Sequence, residues 1–319
     1  MNRQLQSVTL TNATLFETLG VLIDNLTVNR HFRTAETYTT ALNSFRRFRD
    51  GEDLPLEHVT PELMARYETW MLGRGLSRNT TSFYMRILRA AFNQAVEMGV
   101  VPESHPFRHV YTGVDKTRKR AVSLATIRRI KELDLSSRPD LAFARDLFLF
   151  SFYTRGMSFV DMAYLRPGNL RHGYLEFARK KTGQKLRIKW EKSMQDIVNR
   201  YPPNPLGYLL PIITDPARDD RNQYRNVLGH VNAGLSEISR LLHIYPPITT
   251  YVARHSWASI AYANEVPLSV ISEALGHDSE RTTRIYLSTV THDRVDRANT
   301  MIIRLLQGED VRERGVKNL

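Results

Sequence analysis

Apolar positions recur at helical spacing through the first hundred residues. Between Thr34 and Arg49 the side chains of Tyr38, Leu42 and Phe45 share one face, and Asp50-Gly51 supplies the stop. Thr60-Pro61-Glu62 opens a second helix with a capping threonine, a proline in the first turn and an acid beside it. Its apolar residues Leu63, Tyr67, Trp70 and Met71 lead to Gly73 and Gly75. A third helix, Arg78 to Met98, is two-faced. Tyr84, Ile87, Leu88, Ala91 and Ala95 form an apolar stripe; Arg78, Ser82, Arg86, Arg89 and Asn93 lie opposite, and Gly99 ends the run. Such an apolar back and arginine-amide front suits a helix lying on a DNA groove, and equally an ordinary solvated helix.

The pattern dissolves from Pro102 to Val122 into proline, glycine, histidine and a basic cluster that includes Lys116, Arg118, Lys119 and Arg120. This reads as a linker whose charge suits a duplex backbone. Ser123 then begins a basic helix. A strongly apolar helix spans about Leu141 to Tyr153, followed by Thr154-Arg155-Gly156-Met157-Ser158. Two strand-like runs, 174–177 and 185–190, flank Lys181-Thr182-Gly183-Gln184, which predicts a hairpin. Helical patterning resumes to the end, and no internal repeat is present. The expected fold is mainly α with a small antiparallel β-sheet (α+β): a helical domain over 10–105, a basic linker over 106–122 and a larger domain over 123–319.

Charge adds a partner to this picture. Lys and Arg total 45 against 33 acids, a formal charge of +12, which favours a polyanion because cations placed on phosphates release condensed counterions. The chain has no cysteine, so disulfide frameworks, thiolate zinc sites and cysteine nucleophiles are excluded. No apolar run approaches the roughly 18 residues of a membrane span. Polar residues interrupt the segment Met1 to Leu26 throughout, against a secretory signal, so a cytoplasmic protein facing DNA or RNA is expected.

Two later segments concentrate chemistry. One is Thr249-Thr250-Tyr251-Val252-Ala253-Arg254-His255; the other is Leu275-Gly276-His277, followed by Thr282-Thr283-Arg284-Ile285-Tyr286. Arg254 precedes His277 by 23 positions and Tyr286 follows it by nine. Together they resemble the signature of the tyrosine recombinases, the phage integrase family. The likeness extends to Arg78–Tyr84, similar to that family's core-binding SAM-like domain, and to Arg179-Lys180-Lys181-Thr182-Gly183, similar to its catalytic lysine hairpin. Ser151 to Ser158 is similar to the variant in integrases of Bacteroides-type mobile elements.

The resemblance implies a C-shaped DNA clamp and a catalytic set: Tyr286 as nucleophile forming a 3′-phosphotyrosyl intermediate, Arg254 and Arg155 on the scissile phosphate, Lys181 as general acid, and His277 on the phosphate or in proton transfer. These residue types suit the task. Arginine forks match phosphate oxygens without losing charge, and a tyrosine of pKa about 10 attacks only where its phenolate is favoured. The family uses arginines where a nuclease uses magnesium, so no metal or cofactor is expected.

Two departures stand out. Tyr251 replaces the family's usual motif histidine, which puts more of the activation on the arginines or on His255. Aligning Asp161 and Leu165 with the acid and leucine that follow the family's first arginine puts Ser158 in that arginine's slot. Arg155 lies three residues earlier, one turn away if the backbone there is helical.

The implied partners are double-stranded DNA at specific sites, a homotetramer on synapsed DNA and a DNA-bending accessory protein, with no membrane. The short stretch before the first domain implies no extra arm-binding domain. The segment 293–319, with Met301, Ile302, Ile303, Leu305 and Leu306, suits packing on a neighbouring protomer or on its own domain. Rival readings are a catalytically silent DNA clamp of the same fold and a type IB topoisomerase-like enzyme.

Overall fold

The computed structural model describes residues 13–115 and 120–284, together with Leu287, Asn299 and Ile303. Contacts within the chain divide it into two compact units, residues 1–117 and 118–319.

Four helices build the first unit: α1 (Leu15–Val28), α2 (Phe32–Phe48), α3 (Pro61–Gly73) and α4 (Arg78–Glu97). Polar caps begin three of them. Thr14 forms a reciprocal capping box with Glu17, Thr60 accepts from Leu63 N–H ahead of Pro61, and Ser77 accepts from Thr80 N–H. Phe16, Phe45, Phe48, Tyr67 and Trp70 form a chain of edge-on, tilted and stacked rings between α1, α2 and α3. The Tyr67 hydroxyl, buried with them, donates to Ser44 Oγ at 2.8 Å, and burial holds its phenol protonated far above the usual range.

The buried face of α4 is wider than the expected stripe and includes Thr81, Met85 and Phe92. Ser82, expected on the outward front, is fully buried, and its Oγ donates to Gly113 O. The reason is a strap of chain that runs along that front. Phe107 and Val110, inside the stretch expected to be a linker, are buried in the first unit's core. Beyond them Tyr111 N–H donates to Glu68 Oε1 at 3.0 Å. The Asn79 side chain brackets Asp115, donating to its carbonyl and accepting its N–H. Arg78 stacks on the Tyr111 ring at 3.7 Å and pairs with Asp115 at 3.5 Å, while Arg89 donates to Thr112 Oγ1 at 3.1 Å. Lys116, Arg118 and Lys119 lie outside the described residues; Arg120 is exposed.

The second unit comprises α5 (Leu124–Glu132), α6 (Pro139–Tyr153), α7 (Phe159–Ala163), a sheet, α8 (Lys192–Val198), α9 (Asp220–Leu241), α10 (Thr250–Ala263), α11 (Leu268–Leu275) and α12 (Glu280–Arg284). Helix α6 is apolar all round because it is the central rod: Leu147, Phe148, Leu149 and Phe150 are all buried, with α9 and α10 packed on it. Its one buried charge, Asp146, is matched by Arg145 at 3.2 Å, Arg200 at 2.7 Å and the Tyr201 hydroxyl at 2.9 Å. At the entry to α5, Val122 N–H donates to the buried Ser256 Oγ on α10 at 2.9 Å.

The sheet is an antiparallel meander, β1 (Leu170–Arg171), β2 (Tyr174–Ala178) and β3 (Lys185–Lys189), with β1 an addition to the expected hairpin. The register pairs Leu175 with Ile188 and Phe177 with Leu186, so the apolar side chains share one face and cover the core. On the other face Arg187 stacks on Tyr174 at 3.4 Å and pairs with Glu176 at 3.1 Å. No helix among the described residues is long and apolar enough to cross a membrane.

Truncating the central ring of the first unit tests this packing. Phe45→Ala should destabilise that unit by about 3–5 kcal/mol, as for other buried aromatics, measured by denaturant unfolding.

Candidate active site

The site assembles where three chain segments meet: the end of α6, the middle of α10 and the turn after α11. Helix α6 closes with Gly156 N–H on Ser151 O at 2.7 Å, and Ser151 Oγ donates to Met157 O at 2.8 Å. Arg155 and Gly156 both take left-handed backbone conformations there, at φ +60° and +77°. For a residue with a side chain that conformation costs roughly 1–2 kcal/mol. The condition under which Arg155 would lie one helical turn before Ser158 is therefore not met: the backbone between them is a turn. Its guanidinium makes no hydrogen bond or ion pair among the described residues. Ser158 is the N-cap of α7, its Oγ bonded to Asp161 at 2.6 Å.

Gly156 is required by proximity as well as by φ. A Cβ there would lie 2.5 Å from Arg254 Cα and 2.7 Å from its Cβ and Cγ. Only a bare backbone lets the end of α6 lie against α10 at this residue. Arg254 is 5% exposed. Its Nη1 donates to Gly156 O at 2.9 Å, and its Nη2 donates to Leu275 O at 2.5 Å and to His277 Nε2 at 2.9 Å. A guanidinium only donates, so His277 Nε2 must be the acceptor. The ring proton then belongs on Nδ1, which donates to Thr283 Oγ1 at 2.9 Å. That bonding requires a neutral imidazole. Burial first, then the charges of Arg254, Arg179 and Lys181, pull its pKa from 6.5 down to about 4.

The β2–β3 hairpin reaches the same turn. Gly276 caps α11 in the left-handed conformation, and a Cβ on it would fall 2.8 Å from Gln184 Oε1 and 3.0 Å from Arg179 Cδ. Arg179 Nη1 donates to Gly276 O at 2.6 Å. The hairpin base is held from the other side by Asp161, whose Oδ1 accepts Lys180 N–H at 2.8 Å. Lys180 Nζ sits 4.1 Å over the Tyr164 ring, while Lys181 is exposed and is the hairpin lysine whose charge acts on His277. Arg179, Asp161 and Thr283 were not among the expected site residues; the signal for Arg179 and Asp161 is a contact across 97 and 19 positions, which no local pattern carries, while Thr283 meets His277 across six.

Tyr251 is 53% exposed in the first turn of α10, with its ring edge-on to His255 at 4.8 Å. The structure thus brings together Arg254, His277 and the Lys181 hairpin, with Arg155 beside Gly156. Tyr286 lies outside the described residues. The next residue, Leu287, is buried against Ala258, Ile271 and Leu275 of α10 and α11. Among the described residues no three His, Cys, Asp or Glu side chains gather to hold a metal ion.

The chain matches the Phage integrase SAM-like domain over residues 14–110 and the Phage integrase family over residues 216–292. Arg254, His277 and Tyr286 fall inside the second match; Arg155 and Lys181 fall between the two. A relative is the tyrosine recombinase XerD of Pseudomonas aeruginosa, 22% identical over 259 residues, covering 79% of this chain and 85% of that protein. Lambda integrase has a similar fold. Its dimer bound to a COC′ core site gives a TM-score of 0.65 at 17% identity, over 87% of this chain and 78% of that one. Its tetramer bound to a Holliday junction gives 0.63 at 16%, over 90% and 82%. The Tn1549 transposon integrase in complex with a circular intermediate DNA gives 0.64 at 15%, over 91% and 99%.

The bonding of His277 has a spectroscopic consequence. ¹⁵N spectra should show the Nδ1–H tautomer at neutral pH and a titration near pH 4; a midpoint between 6 and 7 would contradict the geometry. The unfolded imidazole binds a proton near pH 6.5, whereas the folded one refuses it until about pH 4. Stability should therefore fall as pH drops from about 6.5 towards 4 and be indifferent to His277 above that window. His277→Gln should flatten that part of the thermal-unfolding pH profile.

Proposed function

We propose that this chain, a tyrosine recombinase by its two phage-integrase domains, is a site-specific DNA recombinase that cuts and rejoins strands through a 3′-phosphotyrosyl intermediate on Tyr286. The observation that carries the reading is the cationic cluster of Arg254, Arg179 and Lys181 around one neutral histidine, nine residues before that tyrosine. A scissile phosphodiester carries the negative charge that such a cluster lacks, and charge accumulates on its non-bridging oxygens during attack.

In this mechanism the Tyr286 oxygen attacks phosphorus, and the P–O5′ bond breaks as the tyrosyl–phosphorus bond forms. The phenolic proton would be lost to water, with His277 bonding the phosphate or assisting that transfer, and Lys181 would protonate the departing 5′-oxygen. Ligation reverses the step when a 5′-hydroxyl attacks the phosphotyrosine, so bond energy is conserved without ATP or metal. Arg254 would hold the phosphate from a fixed position, since its guanidinium is bonded to two main-chain carbonyls. Arg155 would supply the second guanidinium, because Ser158, in the family's arginine slot, is used to cap α7. Tyr251 would donate through its phenol where the family has an imidazole, without that group's capacity as a base.

Arg78, Arg86, Arg89, Lys116, Arg118, Lys119 and Arg120 are proposed to lie on the DNA backbone, with the first unit as the core-binding domain and the second as the catalytic domain. Strand exchange would take two sites and four protomers in the cytoplasm, aided by a DNA-bending protein. The resemblance of Ser151–Ser158 points to a Bacteroides-type mobile element as the source of those sites.

Covalent trapping tests this directly, on nicked duplexes taken from the ends of the genetic element that carries the gene, without added metal. A denaturation-resistant protein–DNA band should form and vanish in Tyr286→Phe, with DNA affinity unchanged within a few-fold. Arg254→Ala should slow cleavage by about 10²–10³, the usual worth of one such donor. A covalent band retained by Tyr286→Phe would overturn the mechanism.

A further inference from the structure

We infer that Arg179 is a positioning residue that latches the Lys181-bearing hairpin onto the Leu275–His277 turn, so that general acid and phosphate-binding groups are registered by the protein itself. The inference rests on the proposed role of Lys181. Arg179 stands at the start of the hairpin turn, and both its backbone groups are used there: its N–H donates to Gln184 O at 2.9 Å, and its carbonyl accepts Gly183 N–H at 2.8 Å. The backbone at Arg179 is therefore part of the frame that carries Lys181 two residues on. Its side chain points away from that frame to a distant segment, where Nη1 donates to Gly276 O at 2.6 Å across 97 positions.

The acceptor explains why an arginine suits this place. Gly276 is the C-cap of α11, where the last carbonyls have no helical partner and carry the negative end of the helix dipole. Leu275 O is taken by Arg254 Nη2, and Gly276 O by Arg179. One helix end is thus shared by a guanidinium from α10 and another from the hairpin. The contact is close as well as polar: Arg179 Cδ, Gln184 Oε1 and Leu186 Cδ1 all lie within 3.2 Å of where a Cβ on Gly276 would be. His277, the next residue, senses both Arg179 and Lys181. The opposite side of the hairpin base is pinned by the Asp161 bond to Lys180 N–H.

A latch for the general acid makes a prediction that a merely structural or phosphate-binding arginine does not. A 5′-bridging sulfur leaves as a thiolate and needs no proton, so a defect confined to proton donation disappears on that substrate. Covalent-complex formation should be timed on a nicked duplex that the wild-type protein cleaves, and on its 5′-thio counterpart. Arg179→Ala should be slowed at least about tenfold on the oxygen substrate, part of the roughly 10²–10⁴-fold a general acid contributes, and return to within about threefold of wild type on the sulfur substrate. Arg179→Lys, which keeps a charge without the fork, should fall between, and Arg179→Ala combined with Lys181→Ala should be no slower than Lys181→Ala alone. An equal defect on both substrates, or additive losses in the double variant, would overturn the latch. If sulfur fails to rescue Lys181→Ala itself, the role of Lys181 fails, and the inference falls with its premise.

Discussion

Two guanidinium groups on the C-terminal end of α11 organise the second unit's site. Leu275 O and Gly276 O are carbonyls that a helix leaves unsatisfied, and here they are bonded to Arg254 and Arg179. Because those arginines come from α10 and from the β2–β3 hairpin, satisfying one helix end joins three elements. His277 follows at once, and its accepting Nε2 is fixed by the same Arg254 nitrogen that bonds Leu275. The arrangement depends on two glycines. Gly156 lets α6 touch Arg254, where a methyl group would collide with the backbone of α10, and Gly276 supplies the left-handed turn on which the hairpin side chains close.

Departures from the family's pattern make sense on this frame. A serine in the first arginine's slot becomes the cap of α7, and the nearby carboxylate of Asp161 divides its oxygens between Ser158 and Lys180 N–H. The carboxylate thus ties α7 to the hairpin. Arg155, in a left-handed turn, adjoins Gly156, the point where α6 meets Arg254. Tyr251 and His255 meet edge to face along one side of α10, which leaves Arg254 to enter the interior alone among them.

In the first unit the same economy appears at α4. The chain after Val110 returns along the helix front, and polar side chains that looked free for a groove are used to fasten it: Ser82 to Gly113, Asn79 to Asp115, Arg78 to Tyr111 and Asp115. The stretch resembles a linker in sequence because proline and glycine break its periodicity, yet Phe107 and Val110 are anchors in the core.

The sequence by itself determined α2, α3 and α4 of the first unit, whose apolar spacing is local, and the hairpin, whose alternation and turn residues are local too; α1 was not among the helices it gave away. The spacing of Arg254, His277 and Tyr286, which carries the resemblance to the phage integrase family, is legible in one dimension as well. Tertiary structure alone decided which polar residues face inward. Ser82 and Arg78 share a stripe with Arg89, and only the returning strap distinguishes a buried hydroxyl from an exposed cation. Likewise Arg179 is one basic residue among several until the fold brings it to Gly276. Helical and strand periods report which side of an element is apolar; they carry no information about what arrives from 97 residues away.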